Sequence, residues 1–128
     1  MADMLQVELV AADRTVWSGE AEMVIARTVE GDVGVLRGHA PMLSLLTQAT
    51  VEISPHEGAV VVAVVDGGFL SVAGDRVSIL SERAVLAEEI DISEARTELE
   101  AARGLSGNEG EARIRHAEAR IRAVERVS

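Results

Sequence analysis

Ala59-Val60-Val61-Val62-Ala63-Val64-Val65, running into Asp66-Gly67, is the stretch that decides the fold class. Branched residues dominate it and it is too short for a globular helix, so it reads as a strand. Both faces of that strand are apolar, with Val60, Val62 and Val64 on one side and Val61, Ala63 and Val65 on the other. An antiparallel sheet normally leaves one face to water, so the second face needs a cover. Either the strand is central among layers of this chain, or a partner protein lies on it. Asp66-Gly67 tolerates the positive φ angles of a tight primed turn and predicts a hairpin.

Further short apolar stretches flank this one: Leu5 to Ala11, Met23 to Thr28, Val33 to Leu36, Val51 to Ile53, Phe69 to Ala73 and Val77 to Leu80. Turn-forming groups separate them, namely Ala12-Asp13-Arg14, Ser18-Gly19-Glu20, Glu30-Gly31-Asp32, Ser54 to Gly58 and Gly74-Asp75. Many short strands without helical runs between them predict an antiparallel β-sandwich or barrel. The period changes near Ala87 to Asp91. Beyond it Ile92, Ala95, Leu99 and Ala102 recur at helical spacing, as do Ile114, Ala117, Ile121 and Val124. Asp91 or Ser93 can cap the first helix, and Glu94 suits a capping box. The glycines of the 104–110 linker break helix and allow a reversal, which gives an antiparallel two-helix hairpin. The division is therefore a sandwich over 1–87 and a hairpin over 88–128. The helical stripes are thin and rich in alanine, so docking onto the sandwich should be weak and an equilibrium between packed and released hairpin is expected.

Composition excludes several functions. The 128 residues, 48% apolar, suffice for one domain and a small appendage. A net charge of −10 argues against nucleic acid and anionic membrane surfaces, and points to protein as partner. Cysteine is absent, which removes disulfides, thiolate metal sites and a cysteine nucleophile. The longest apolar run falls far short of the roughly 20 residues of a membrane span, and the start lacks a signal peptide's apolar centre, so a cytoplasmic location is expected.

Candidate chemistry is sparse. His39, His56 and His116 have no metal-ligating spacing. Asp32 and His39 can be drawn together as a base and its orienter, but no nucleophile motif accompanies them. Gly31-Asp32-Val33-Gly34 lacks the lysine of a phosphate loop. Arg113, Arg115, Arg120, Arg122 and Arg126 make the last helix locally basic, interspersed with Glu109, Glu111, Glu118 and Glu125. Either they form a solvated face with local ion pairs, or a cationic face for an acidic partner, which arginine binds in forked fashion.

The stretch Glu30-Gly31-Asp32-Val33-Gly34-Val35-Leu36-Arg37-Gly38-His39-Ala40-Pro41 resembles the glycine-rich loop of the epsilon subunits of bacterial F-type ATP synthases, with Arg37 where that family usually has proline. Trp17-Ser18-Gly19, Asp66 to Val72, and Val77 to Leu80 leading into Glu89-Ile90-Asp91 extend the likeness over nearly the whole chain. It implies a β-sandwich of about ten strands followed by a helical hairpin. It also implies a non-catalytic rotor subunit of the central stalk, which couples c-ring rotation through gamma to the catalytic head, on the cytoplasmic face of the cell membrane. The implied partners are the gamma subunit, the c-subunit ring and the beta subunit; proton coupling, no nucleic acid and no insertion into the bilayer are implied with them. Asp32 and His39 become candidates for the rotor contact, although His39 can equally be satisfied within its turn. The five arginines become candidates for meeting an acidic segment of beta and blocking hydrolysis. An apolar outer face on Ala59 to Val65 could supply part of the gamma interface. Some relatives bind ATP through an Ile/Leu-Asp-x-x-Arg-Ala motif. Ile90, Asp91 and Ala95 match it, but Glu94 replaces the arginine and opposes a triphosphate, so no cofactor is expected. The competing reading is a free-standing cytoplasmic adaptor for an acidic protein.

Overall fold

The computed structural model describes residues 4–105 and 107–127. Seven strands come first: β1 (Leu5–Ala11), β2 (Thr15–Thr28), β3 (Gly31–Leu36), β4 (Met42–Pro55), β5 (Val61–Ala73), β6 (Arg76–Ser81) and β7 (Ala84–Leu86). A single 3-10 turn (Ala87–Glu89) leads to helices α1 (Ile92–Arg103) and α2 (Gly107–Val127). The strands pair in the order β1-β6-β5-β4-β2-β3, with β7 on β5, and a further β1–β2 ladder closes the sheet into a flattened ring. All ladders are antiparallel except β1–β6, which is parallel. The sandwich followed by two helices is the expected class.

The family resemblance implies about ten strands for such a body, and the described residues form seven. The reason is that β2, β4 and β5 are 14, 14 and 13 residues long and turn the corner between the two layers. A strand that bends reads in sequence as two short strands with a turn between them. Asp66-Gly67 is therefore no hairpin but the bend inside β5, where Gly67 and Gly68 have φ of 81° and 114°. A Cβ on Gly68 would lie 1.9 Å from the Leu80 carbonyl oxygen, so only glycine fits where β6 crosses. Ser18-Gly19-Glu20 likewise lies within β2, paired to β1. The tight turn falls at Gly74-Asp75, both with positive φ, between β5 and β6.

The main core fills the sandwich with Leu5, Leu9, Val24, Val35, Ile53, Leu70 and Ile79, all fully buried. A second, smaller cluster joins Val62 and Val64 to Ala87 and to Ala119 and Ala123 of α2, with Val60, Val85 and Ile90 at its margin. This decides what covers the second face of the valine stretch. The chain's own α2 lies on it, and the expectation that this face offers itself to gamma is corrected for the packed hairpin.

Asp91 caps α1, its carboxylate accepting from the Ser93 and Glu94 N–H groups at 2.9 and 3.2 Å. Its Ala95 and Ala102 are buried, with Ile92 and Leu99 half-buried. The 104–110 linker is shorter than expected, because α2 already begins at Gly107; Ser106 lies outside the described residues. Gly110 is inside the helix and buried, where a Cβ would come within 2.7 Å of the Leu105 carbonyl oxygen. Its role is close packing of the connection, not helix breaking. Helix α2 packs on β4, β5 and the 3-10 turn, and α1 packs chiefly on α2. Against the valines the buried residues of α2 are alanines, each methyl adding on the order of 1 kcal/mol by area, with the half-exposed Val127 at the margin.

Candidate functional site

Asp32 and Arg27 face each other across the β2–β3 ladder. Thr28 sets that turn: its buried hydroxyl donates to the Gly31 carbonyl at 2.8 Å and accepts from the Glu30 N–H at 3.1 Å. Arg27 Nε then donates to Asp32 Oδ1 at 2.9 Å, with a second, longer guanidinium contact to Oδ2 at 3.5 Å. The hydrogen bond first and the guanidinium charge second hold the Asp32 carboxyl below the usual aspartate range. Both groups remain exposed, Arg27 on β2 and Asp32 on β3, which among the described residues pairs only to β2.

His39 lies past the far end of β3, so roughly 15 Å of strand separates it from Asp32. The base-and-orienter pairing that could be drawn for these two residues does not form. The His39 Nδ1 instead lies 2.6 Å from the Ala40 carbonyl oxygen, and its backbone N–H donates to the Leu36 carbonyl at 3.1 Å. Its loop is tied to the β5–β6 turn, where the Gly38 N–H donates to Asp75 Oδ1 at 2.7 Å.

The five arginines of α2 do not form one free cationic face. Arg113 pairs with Glu109 in its own helix, Arg120 with Glu98 of α1, and Arg126 with Glu52 of β4 at 3.1 Å. Arg115 and Arg122 make no ion pair among the described residues. Heptad spacing sets Arg113 and Arg120 in one row toward α1 and Arg115, Arg122 and Arg126 in another toward the sheet, where Arg126 reaches Glu52.

The nucleotide-motif positions already have structural work. The Asp91 carboxylate is engaged as the α1 cap, Ala95 is fully buried, and Ile90 borders the second core cluster. Glu94 is exposed in the first helical turn. Among the described residues no group of three His, Cys, Asp or Glu could hold a metal ion.

A surface absent from the sequence expectations is apolar. Leu45 of β4, Phe69 of β5 and Leu80 of β6 stand opposite one another in register, and Leu43 extends the row. They are 51%, 48%, 48% and 72% exposed. Phe69 is the only phenylalanine of the chain. Helix α2 covers β5 before its bend, and this row lies beyond it. A contiguous apolar row left in water marks a contact face.

The β-sandwich has counterparts. Residues 4–87 match the family described as the ATP synthase delta/epsilon chain, beta-sandwich domain. The ATP synthase epsilon chain of Streptomyces griseus is 51% identical over 124 residues, covering 97% of this chain and 98% of its own. The chain belongs to the ATP synthase epsilon chain family. The epsilon chain of Rhodococcus jostii is 50% identical over 128 residues, covering 99% of this chain and all (100%) of its own. A chain of the Euglena gracilis mitochondrial ATP synthase, solved as OSCP, F1 and c-ring, superposes with a TM-score of 0.76 at 28% identity, covering 98% of this chain and 79% of that one. The fold alone is shared with a chain of the Tetrahymena thermophila ATP synthase central stalk and c-ring, at a TM-score of 0.61 and 14% identity. This epsilon-family chain is thus a non-catalytic rotor-stalk subunit, and the free-standing adaptor is set aside.

Proposed function

We propose that the sandwich, residues 1–87, is clamped to the gamma subunit through the row Leu43, Leu45, Phe69 and Leu80, and presents the β3 edge with Asp32 to the c-subunit ring. Proton-driven rotation of the ring then reaches the catalytic head through a body that moves as one with gamma. The hairpin, residues 88–128, is the regulatory part; when released, its arginines meet an acidic surface of the beta subunit and restrain hydrolysis. The chain sits peripherally at the cytoplasmic face of the membrane, in keeping with the lack, among the described residues, of a helix long and apolar enough to cross one. It holds no nucleotide, because Glu94 sets a carboxylate where a triphosphate needs a cation.

The observation that carries the gamma contact is the half-exposed Phe69 in register between Leu45 and Leu80. Burying such a row needs a partner with its own apolar face, and aromatic anchors dominate interface energies. Phe69→Asp should weaken binding to purified gamma by about 2 kcal/mol or more, roughly 30-fold in Kd, and uncouple proton pumping in inverted vesicles. Retention of full affinity by a folded variant would remove this face from the interface.

A further inference from the structure

The ion pair on the β3 edge and the hairpin share one cleft. The outer face of the sheet beneath α2 carries, strand by strand, Val62 and Val64 of β5, Glu52 and Thr50 of β4, Ile25 and Arg27 of β2, and Asp32 of β3; the register sets Val62 opposite Glu52, Glu52 opposite Ile25, and Arg27 opposite Asp32. Arg122 of α2 lines a small cleft with Arg27, Asp32 and Glu52, and Arg126, one turn on, pairs with Glu52. In an adjoining cleft Arg27 is joined by Arg115 and Arg122 of α2, with Asp66 and Glu118 as the acidic groups.

We propose that the Arg27–Asp32 pair sets how firmly α2 is held on the sandwich, so that engagement of the Asp32 carboxylate by a partner loosens the hairpin at a distance. With the pair intact, Asp32 offsets the Arg27 charge and the guanidinium row of α2 meets little net repulsion. Removing the carboxylate from the pair leaves Arg27 facing Arg115 and Arg122, like charges across a cleft open to water. Removing the guanidinium instead leaves Asp32 free to attract Arg122. The two single losses therefore act in opposite directions, which a merely structural role for the pair does not produce. The alanine contact of α2 is weak enough for such a small term to show.

The partner step rests on the reading of Asp32 as a ring contact, whereas the coupling inside the chain does not, so the test uses the isolated full chain. Amide hydrogen exchange over 115–127 reports release of α2, because a helix freed from its packed face loses most of its stabilisation. Asp32→Asn should speed exchange there about two- to four-fold and Arg27→Gln should slow it by a similar factor, the range open to partly screened surface charges. The double variant should return close to the parent, and raised salt should shrink every difference. Protection at Leu70 and Ile79 in the sandwich core reports whether each variant stays folded. Changes of the same sign in both single variants, no change in either, or an effect that follows loss of core protection would each overturn the coupling. A chain that behaves as expected here but shows no ring contact through Asp32 would overturn only the partner step.

Discussion

Gly68 and Glu94 show how one residue decides a larger matter. At Gly68 the backbone takes a φ of 114° with the Leu80 carbonyl against its α-carbon, and β5 bends instead of ending. At Glu94 a single carboxylate, exposed at the first turn of α1, stands beside an Asp91 whose own carboxylate is committed to the helix cap. Two negative charges and an engaged cap argue against the attraction a triphosphate needs, which is the reading proposed above. Titration calorimetry of the isolated chain with ATP should show no heat above dilution. A Kd near 1 μM, about −8 kcal/mol, would contradict this.

At the scale of elements, the junction between sandwich and hairpin is held by the pair of Arg14, in the β1–β2 turn, with Glu89 at 2.7 Å. Glu89 also accepts from the Leu86 N–H at 2.9 Å. The Arg14 hydrogen bond first, and that backbone bond second, hold the Glu89 carboxyl below its ordinary value of 4.5. A lowered folded-state value contributes stability that is complete above 4.5 and is lost as pH falls through the folded value. Wild type and Glu89→Gln should therefore differ in thermal stability at pH 7 by about a few degrees at most and converge as the pH falls below the lowered folded-state value, as an exposed pair allows. A gap that persists in acid would assign the difference to something other than this charge. Most of the elements were legible beforehand. β1 matches the Leu5–Ala11 stretch, and the shift to helical period marks α1 and α2. What stayed hidden is the corner. In β4 the inward residues are Ala49, Val51 and Ile53, then Leu46 and Ser44; in β5 they are Ala63 and Val65, then Leu70 and Val72. Both strands switch parity near Gln48 and Asp66, which are bonded to each other. Alternation alone cannot announce such a switch, and with it the outward turn of Leu43, Leu45 and Phe69 is lost to view. The Asp32 candidate was readable from its motif, but its Arg27 partner needed the β2–β3 register.

On the whole-molecule scale, the packed hairpin and the exposed row Leu43, Leu45, Phe69 and Leu80 coexist, so under the proposed gamma contact assembly does not require the hairpin to move. Deletion of residues 106–128 should leave the subunit in the complex and raise ATP hydrolysis several-fold if the released hairpin restrains it. An unchanged rate in the truncated complex would sink the inhibitory role. The ring of ladders that joins β1 back to β2 has a mechanical outcome as well. Twist applied at one end of an open sheet can unzip it from its outermost strand, one hydrogen bond after another. In the closed ring of β1, β6, β5, β4 and β2 the same load is spread across the ladders in shear, so apart from the edge strand β3 such a body passes on a turning moment without fraying.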